Sequence, residues 1–184
     1  MDSPDRFVEF TIRGLALDPE SSVPILLLQD RGGRMILPIW IGAFEAGAIA
    51  MHLEGRRFPR PMTHDLLHAV VEALRARVVR LDIRALEQGT FLGSLVLVDA
   101  DGREHVVDCR PSDGVALAVR ADAPVRVAAA VLEAARLIPE EDQLAPDAGQ
   151  PRTMILETED DAARARLADQ LADLAPEDFG KYRM

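Results

Sequence analysis

A chain of 184 residues, 48% hydrophobic and with mean hydropathy near zero, has the composition of one globular domain plus an appendage, large enough to bury a core without staples. Its one cysteine, Cys109, excludes an internal disulfide framework and a cysteine-rich zinc module, and no apolar run approaches a bilayer span. The formal charge of −10 argues against a nucleic-acid partner until its distribution is considered: 12 acidic and 5 basic residues lie from Glu140 onward, leaving 19 acidic and 16 basic before it.

In chain order, Met1 to Arg6 is polar and unlike an export leader, so a cytoplasmic protein is expected. Phe7 to Leu17 alternates and predicts a strand ending at Asp18-Pro19. Ile25 to Gln29 and Arg34 to Ile41 predict two more strands around the turn Asp30-Arg31-Gly32-Gly33, and Pro38 implies an edge position or a bulge. Gly42 opens a helix running to about Leu53, which Gly55 stops. After the stiff basic loop Arg56-Arg57-Phe58-Pro59-Arg60-Pro61, Thr63 is expected to cap a helix whose apolar face is Leu66, Leu67, Val70, Val71 and Leu74.

Val78 to Leu86 predicts a strand, and Phe91 to Val98 with Arg103 to Cys109 a hairpin around Asp99-Ala100-Asp101-Gly102. Ser112 is expected to cap a short helix to about Arg120, broken at Ala123-Pro124. A brief strand at Val125 to Val127 and a helix at Ala128 to Arg136 follow. Pro139 to Pro151 reads as a linker, and Asp160 to Leu174 has helical apolar spacing at Ala163, Leu167, Leu171 and Leu174. The expected division is a domain over 1–139, an acidic linker over 140–159 and a helical tail over 160–184.

Glu45-Ala46-Gly47-Ala48-Ile49-Ala50 and Asp113-Gly114-Val115-Ala116-Leu117-Ala118 match, each with a carboxylate in the first turn of a helix that follows a hairpin. The two halves then read as a duplicated strand–strand–strand–helix–helix unit, with a chance match of alanine-rich helices as the alternative. Strands grouped rather than strictly alternating with helices predict an α+β fold with a mostly antiparallel sheet.

Asp18, Glu45, Asp65, Asp108 and Asp113 are carboxylates near predicted element ends. Mg²⁺ or Mn²⁺ needs several such oxygens together, and a bound ion polarises phosphate and activates water. If the halves pack symmetrically, Glu45 and Asp113 meet, with Asp108 or Asp65 completing a divalent site. Structural readings compete: an acid in a first turn is favoured by the helix dipole by about 0.3–1 kcal/mol, and Asp108 with Arg110 reads as an ordinary ion pair. His64 has the chemistry of a general acid or base. Arg60, Thr63 and the helix N-terminus suit an anion, although capping explains Thr63 and Asp65 as well. No phosphate-binding glycine loop, dinucleotide fingerprint or nucleophile elbow occurs.

Leu37-Pro38-Ile39-Trp40-Ile41-Gly42 with Glu45-Ala46, then Pro59-Arg60-Pro61-Met62-Thr63-His64-Asp65, then Gly89-Thr90-Phe91, then Asp108-Cys109-Arg110-Pro111-Ser112-Asp113-Gly114 form four ordered blocks. Together they resemble the bifunctional nuclease family. Gly47 and Gly114 depart from it, standing where larger or alanine-like residues are usual. The resemblance implies an α+β domain that self-associates and the ability of some members to cleave both DNA and RNA, and the function expected on that precedent is a metal-assisted nuclease with little sequence specificity. It implies no agreed catalytic set. The candidates are therefore Glu45, His64, Asp65, Asp108 and Asp113 as catalytic groups, Glu45, Asp108 and Asp113 as metal ligands, and Arg60, Thr63, Arg110 and Ser112 as substrate-binding groups. A non-catalytic ligand-binding or regulatory module is the alternative.

Overall fold

The computed structural model describes residues 6–19 and 21–136. The expected linker and tail helix lie outside them. The strands are β1 (Phe7–Leu17), β2 (Pro24–Asp30), β3 (Ile36–Trp40), β4 (Arg77–Glu87), β5 (Thr90–Val98), β6 (Glu104–Cys109) and β7 (Val125–Ala128). The helices are α1 (Ala43–Leu53), α2 (Thr63–Ala73), α3 (Pro111–Arg120) and α4 (Ala129–Arg136). No described helix is long and apolar enough to cross a membrane.

The strands form one sheet in the order β3-β2-β1-β7-β4-β5-β6. All pairings are antiparallel except β4 with β7, so the fold is α+β with a mostly antiparallel sheet, as the grouping of strands predicts. Each half is a three-strand meander followed by a helix: β1-β2-β3-α1 and β4-β5-β6-α3. β1 runs antiparallel to β7 and β4 parallel to it, so the meanders are oppositely directed across β7, as a local two-fold requires. β7 departs from the expected repeat, standing between α3 and α4 where the first half passes directly from α1 to α2. Pro38 lies on β3, an edge strand, where its missing N–H breaks no ladder.

Local sequence explains the turns. Asp30 is buried, and its Oδ1 accepts the N–H groups of Arg34 and Met35 at 2.7 Å each, closing the β2–β3 hairpin. Asp99 does the same for β5–β6, accepting from Asp101 and Arg103 at 2.9 Å. The core joins Phe10, Leu26, Leu28, Leu37 and Ile39 from the first meander to Leu81, Ile83, Leu95, Val115 and Leu117 from the second half. Burying each such side chain contributes about 1.5–3 kcal/mol.

The helices differ in how they meet this core. α3 buries seven of its ten residues and packs on α1, α2, β4 and β5. Gly114 permits this, because a Cβ there would collide with Leu81 Cδ1. α2 buries only Val71. The other four residues of its expected apolar face, Leu66, Leu67, Val70 and Leu74, are exposed. Periodicity correctly finds the helix but not its partner, since nothing among the described residues covers the stripe.

Candidate functional site

The first turns of α1, α2 and α3 meet at one place, and each helix carries an acid at its third residue: Glu45, Asp65 and Asp113. The helix dipoles favour all three. The local sequence then differentiates them. Gly42, the residue before α1, leaves the space into which the Glu45 side chain folds back; a Cβ there would collide with its Oε2. Arg110 holds the equivalent position before α3, and Pro111 starts that helix where an N–H is dispensable. Met62, not Thr63, precedes α2, and its N–H donates to Asp65 Oδ2 at 2.9 Å. Thr63 is therefore the first helical residue. Ser112, expected as a cap, lies one residue inside α3 and is buried.

Arg110 ties the junction together. Its Nε donates to Asp113 Oδ2 at 2.7 Å, and its Nη2 donates to Glu45 Oε1 at 2.7 Å and to Asp113 Oδ1 at 3.2 Å. His64 Nε2 stands 3.2 Å from Asp113 Oδ1. The two carboxylates matched by internal symmetry are thus brought together, with a guanidinium between them. Burial works hardest against ionised Asp113, but hydrogen bonds from Arg110 and His64 outweigh it and hold the carboxyl below its ordinary value. Asp113, followed by Glu45, pushes the Arg110 guanidinium above its own. His64 and Glu45 are 12% and 14% exposed at their side chains while Arg110 is 67% exposed, so the site presents its cation to solvent. Arg110 Nη1 donates to none of the described residues.

The remaining candidates lie elsewhere. Asp65 is in the neighbouring network, where Arg120 Nε donates to its Oδ1 at 2.6 Å, and that bond above all lowers its pKa. Arg60 is exposed in the loop before α2 and pairs with no carboxylate among the described residues. Asp108 is not with Glu45 and Asp113. Side chains alternate along β6, and Cys109 Sγ faces Gly93 and Gly114 on the α3 side, so Asp108 points to the opposite face. There it accepts from Arg84 Nη2 at 2.7 Å, level with Ser94 and Asp82 across the sheet. The ion pair expected between Asp108 and Arg110 is accordingly replaced by Arg84–Asp108 and Arg110–Asp113.

The residues as arranged do not fit the expected divalent ion. Asp108 is on the wrong face, and Arg110 already supplies positive charge to both other carboxylates. No group of three His, Cys, Asp or Glu suited to a metal ion occurs among the described residues. Burial pushes the Cys109 thiol up to about 11, which disfavours its thiolate near neutrality. Sequence reasoning missed Arg120, whose place in the last turn of α3 reads as a routine helix end, and Gly42, which reads only as a helix opener.

The comparisons with known proteins bear on the same region. The model of the bifunctional nuclease domain matches residues 26–140, spanning every residue of the junction. Two uncharacterized proteins of Mycobacterium tuberculosis, from strains CDC 1551 / Oshkosh and ATCC 25618 / H37Rv, are each 35% identical over 171 residues, covering 93% of this chain and 97% of the relative. A family match over more than half the chain, with similarity along nearly the whole length of these relatives, places the chain in the bifunctional nuclease domain family.

Proposed function

We propose that the protein is a nuclease hydrolysing phosphodiester bonds of DNA and RNA with little sequence preference, and that its site is the junction of α1, α2 and α3. The observation that carries this is the hydrogen-bonded set Glu45–Arg110–Asp113–His64 at three converging helix N-termini. A phosphodiester is drawn by Arg110 Nη1, which bonds none of the described residues, by Arg60 and by the helix ends. Asp113 orients the His64 ring as a carboxylate orients a catalytic imidazole. The ring takes a proton from water as the water oxygen bonds to phosphorus and the bond from phosphorus to the departing oxygen breaks; that proton then passes from the imidazolium through solvent to the departing oxygen, which restores the neutral ring. Binding through phosphates rather than base edges would give low sequence preference.

The assay is cleavage of end-labelled single-stranded DNA and RNA by repurified full-length protein, with Mg²⁺, with Mn²⁺ and with chelator. Cleavage is expected in wild type and lost in His64→Gln; equal rates for the two would contradict the assignment. The chelator arm decides whether a divalent ion takes part.

A second reading, a non-catalytic anion-binding or regulatory module, is favoured by the saturation of Glu45 and Asp113 by Arg110. Absence of turnover, with thermal stabilisation by a short oligonucleotide that requires Arg110, would select it. In either reading we infer a cytoplasmic, self-associating protein, with the exposed stripe of α2 as the surface offered for association. Light scattering of wild type against Leu66→Glu/Val70→Glu tests the latter.

A further inference from the structure

We propose that Arg120 is a positioning residue that holds helix α2 where His64 reaches Asp113. The inference rests on the reading of His64 as the proton carrier and adds to it a residue outside the reacting set.

The need for such a residue follows from the packing. Within the protomer α2 buries only Val71, so its apolar seat is small and polar contacts carry more of the placement of its first turn. A polar tie supplies the placement. The Arg120 side chain is 7% exposed, and its guanidinium reaches three helices. Nε donates to Asp65 Oδ1 on α2 at 2.6 Å, Nη2 to the Ala48 carbonyl on α1 at 3.3 Å and Nη1 to the Ala116 carbonyl on α3 at 2.7 Å. The other oxygen of Asp65 accepts the Met62 N–H, so the same carboxylate that Arg120 grips also closes the start of α2. His64 is the residue next to Asp65. The planar fork of arginine matters: lysine keeps the charge but cannot reach a carboxylate and two carbonyls in three directions. Arg120 touches none of the reacting groups, so its effect on chemistry is exerted through the placement of His64.

The test uses the full chain as Arg120→Lys and Asp65→Asn. Asp65 is partly exposed, so the second variant reports even if the first does not fold. The readout independent of activity is carbethoxylation of histidine by diethyl pyrocarbonate, read by mass spectrometry as the ratio of His64 to His105. His105 lies on β6, is exposed and serves as internal reference. Release of α2 is expected to raise that ratio about fivefold or more, because His64 leaves its sheltered place against Asp113. In the cleavage assay kcat is expected to fall about tenfold with KM nearly constant, the signature of misplaced chemistry rather than lost binding. If wild type shows no cleavage, the nuclease reading fails while the modification ratio still decides the role of Arg120. An unchanged ratio in either folded variant would overturn the proposal.

Discussion

Helices α2 and α3 supply the two ends of the His64–Asp113 pair, and they are held in opposite ways. α3 is seated by volume: seven of its ten residues are buried, and Gly114 brings its backbone onto Leu81. α2 is seated by charge: one residue is buried, and the Asp65–Arg120 bond ties its first turn to its neighbours. Under the proposed function, the base His64 sits on the element with the smaller buried face and its orienting acid Asp113 on the one with the larger.

The comparison is sharpest in truncation. Leu117→Ala in α3 is expected to cost about 2–4 kcal/mol, because it opens a cavity at a site 3% exposed. Leu66→Ala in α2, at 57% exposure within one protomer, should stay within about 0.5 kcal/mol when measured at concentrations that keep the protein monomeric. Urea unfolding of both measures the contrast, and similar costs would show that α2 is packed after all. Glycine replacement should change sign between helices. Gly114→Ala forces a methyl against Leu81 and is expected to destabilise by about 1–3 kcal/mol. Gly47→Ala in α1 meets nothing within 4 Å and should stabilise by about 0.5–1 kcal/mol.

Acid should separate α2 from α3. The folded pKa values of Asp65 and Asp113 are lowered, so what they contribute is complete above the ordinary Asp value of 3.8 and is lost as pH falls through the lowered folded values. The loss at Asp65 removes the main tie of α2, whereas α3 keeps its buried face. Hydrogen-exchange protection factors followed from pH 6 down to pH 2 are expected to fall first in Thr63–Ala73. Loss in α3 before α2 would refute the distinction.

All eleven elements were legible in the sequence, because strand alternation, glycine turns and prolines at breaks are local signals. Helix starts were less so: Thr63 and Ser112 have capping chemistry, yet the chain enters each helix one or two residues earlier, at Met62 and Arg110. The apolar face of α2 illustrates a deeper limit, since spacing reveals that a stripe exists but not whether anything covers it. In the site, the match of Glu45 with Asp113 was visible as an internal repeat, and in the structure Arg110 bridges the two. What could not be read was the partner between them, or that one strand's alternation sends Asp108 to the far face though it lies five residues from Asp113. Arg120 acts across 55 residues of chain to reach Asp65, a pairing that no local pattern encodes.

Asp113→Asn against Asp108→Asn in one cleavage assay distinguishes chemistry at the helix junction from chemistry on the Asp108 face of the sheet. Both substitutions remove a carboxylate from a strand-to-helix region and break one arginine pair. Asp113→Asn is expected to lower kcat/KM by about tenfold or more, through loss of His64 orientation, while Asp108→Asn stays near wild type. The reverse order, or equal losses, would contradict the assignment.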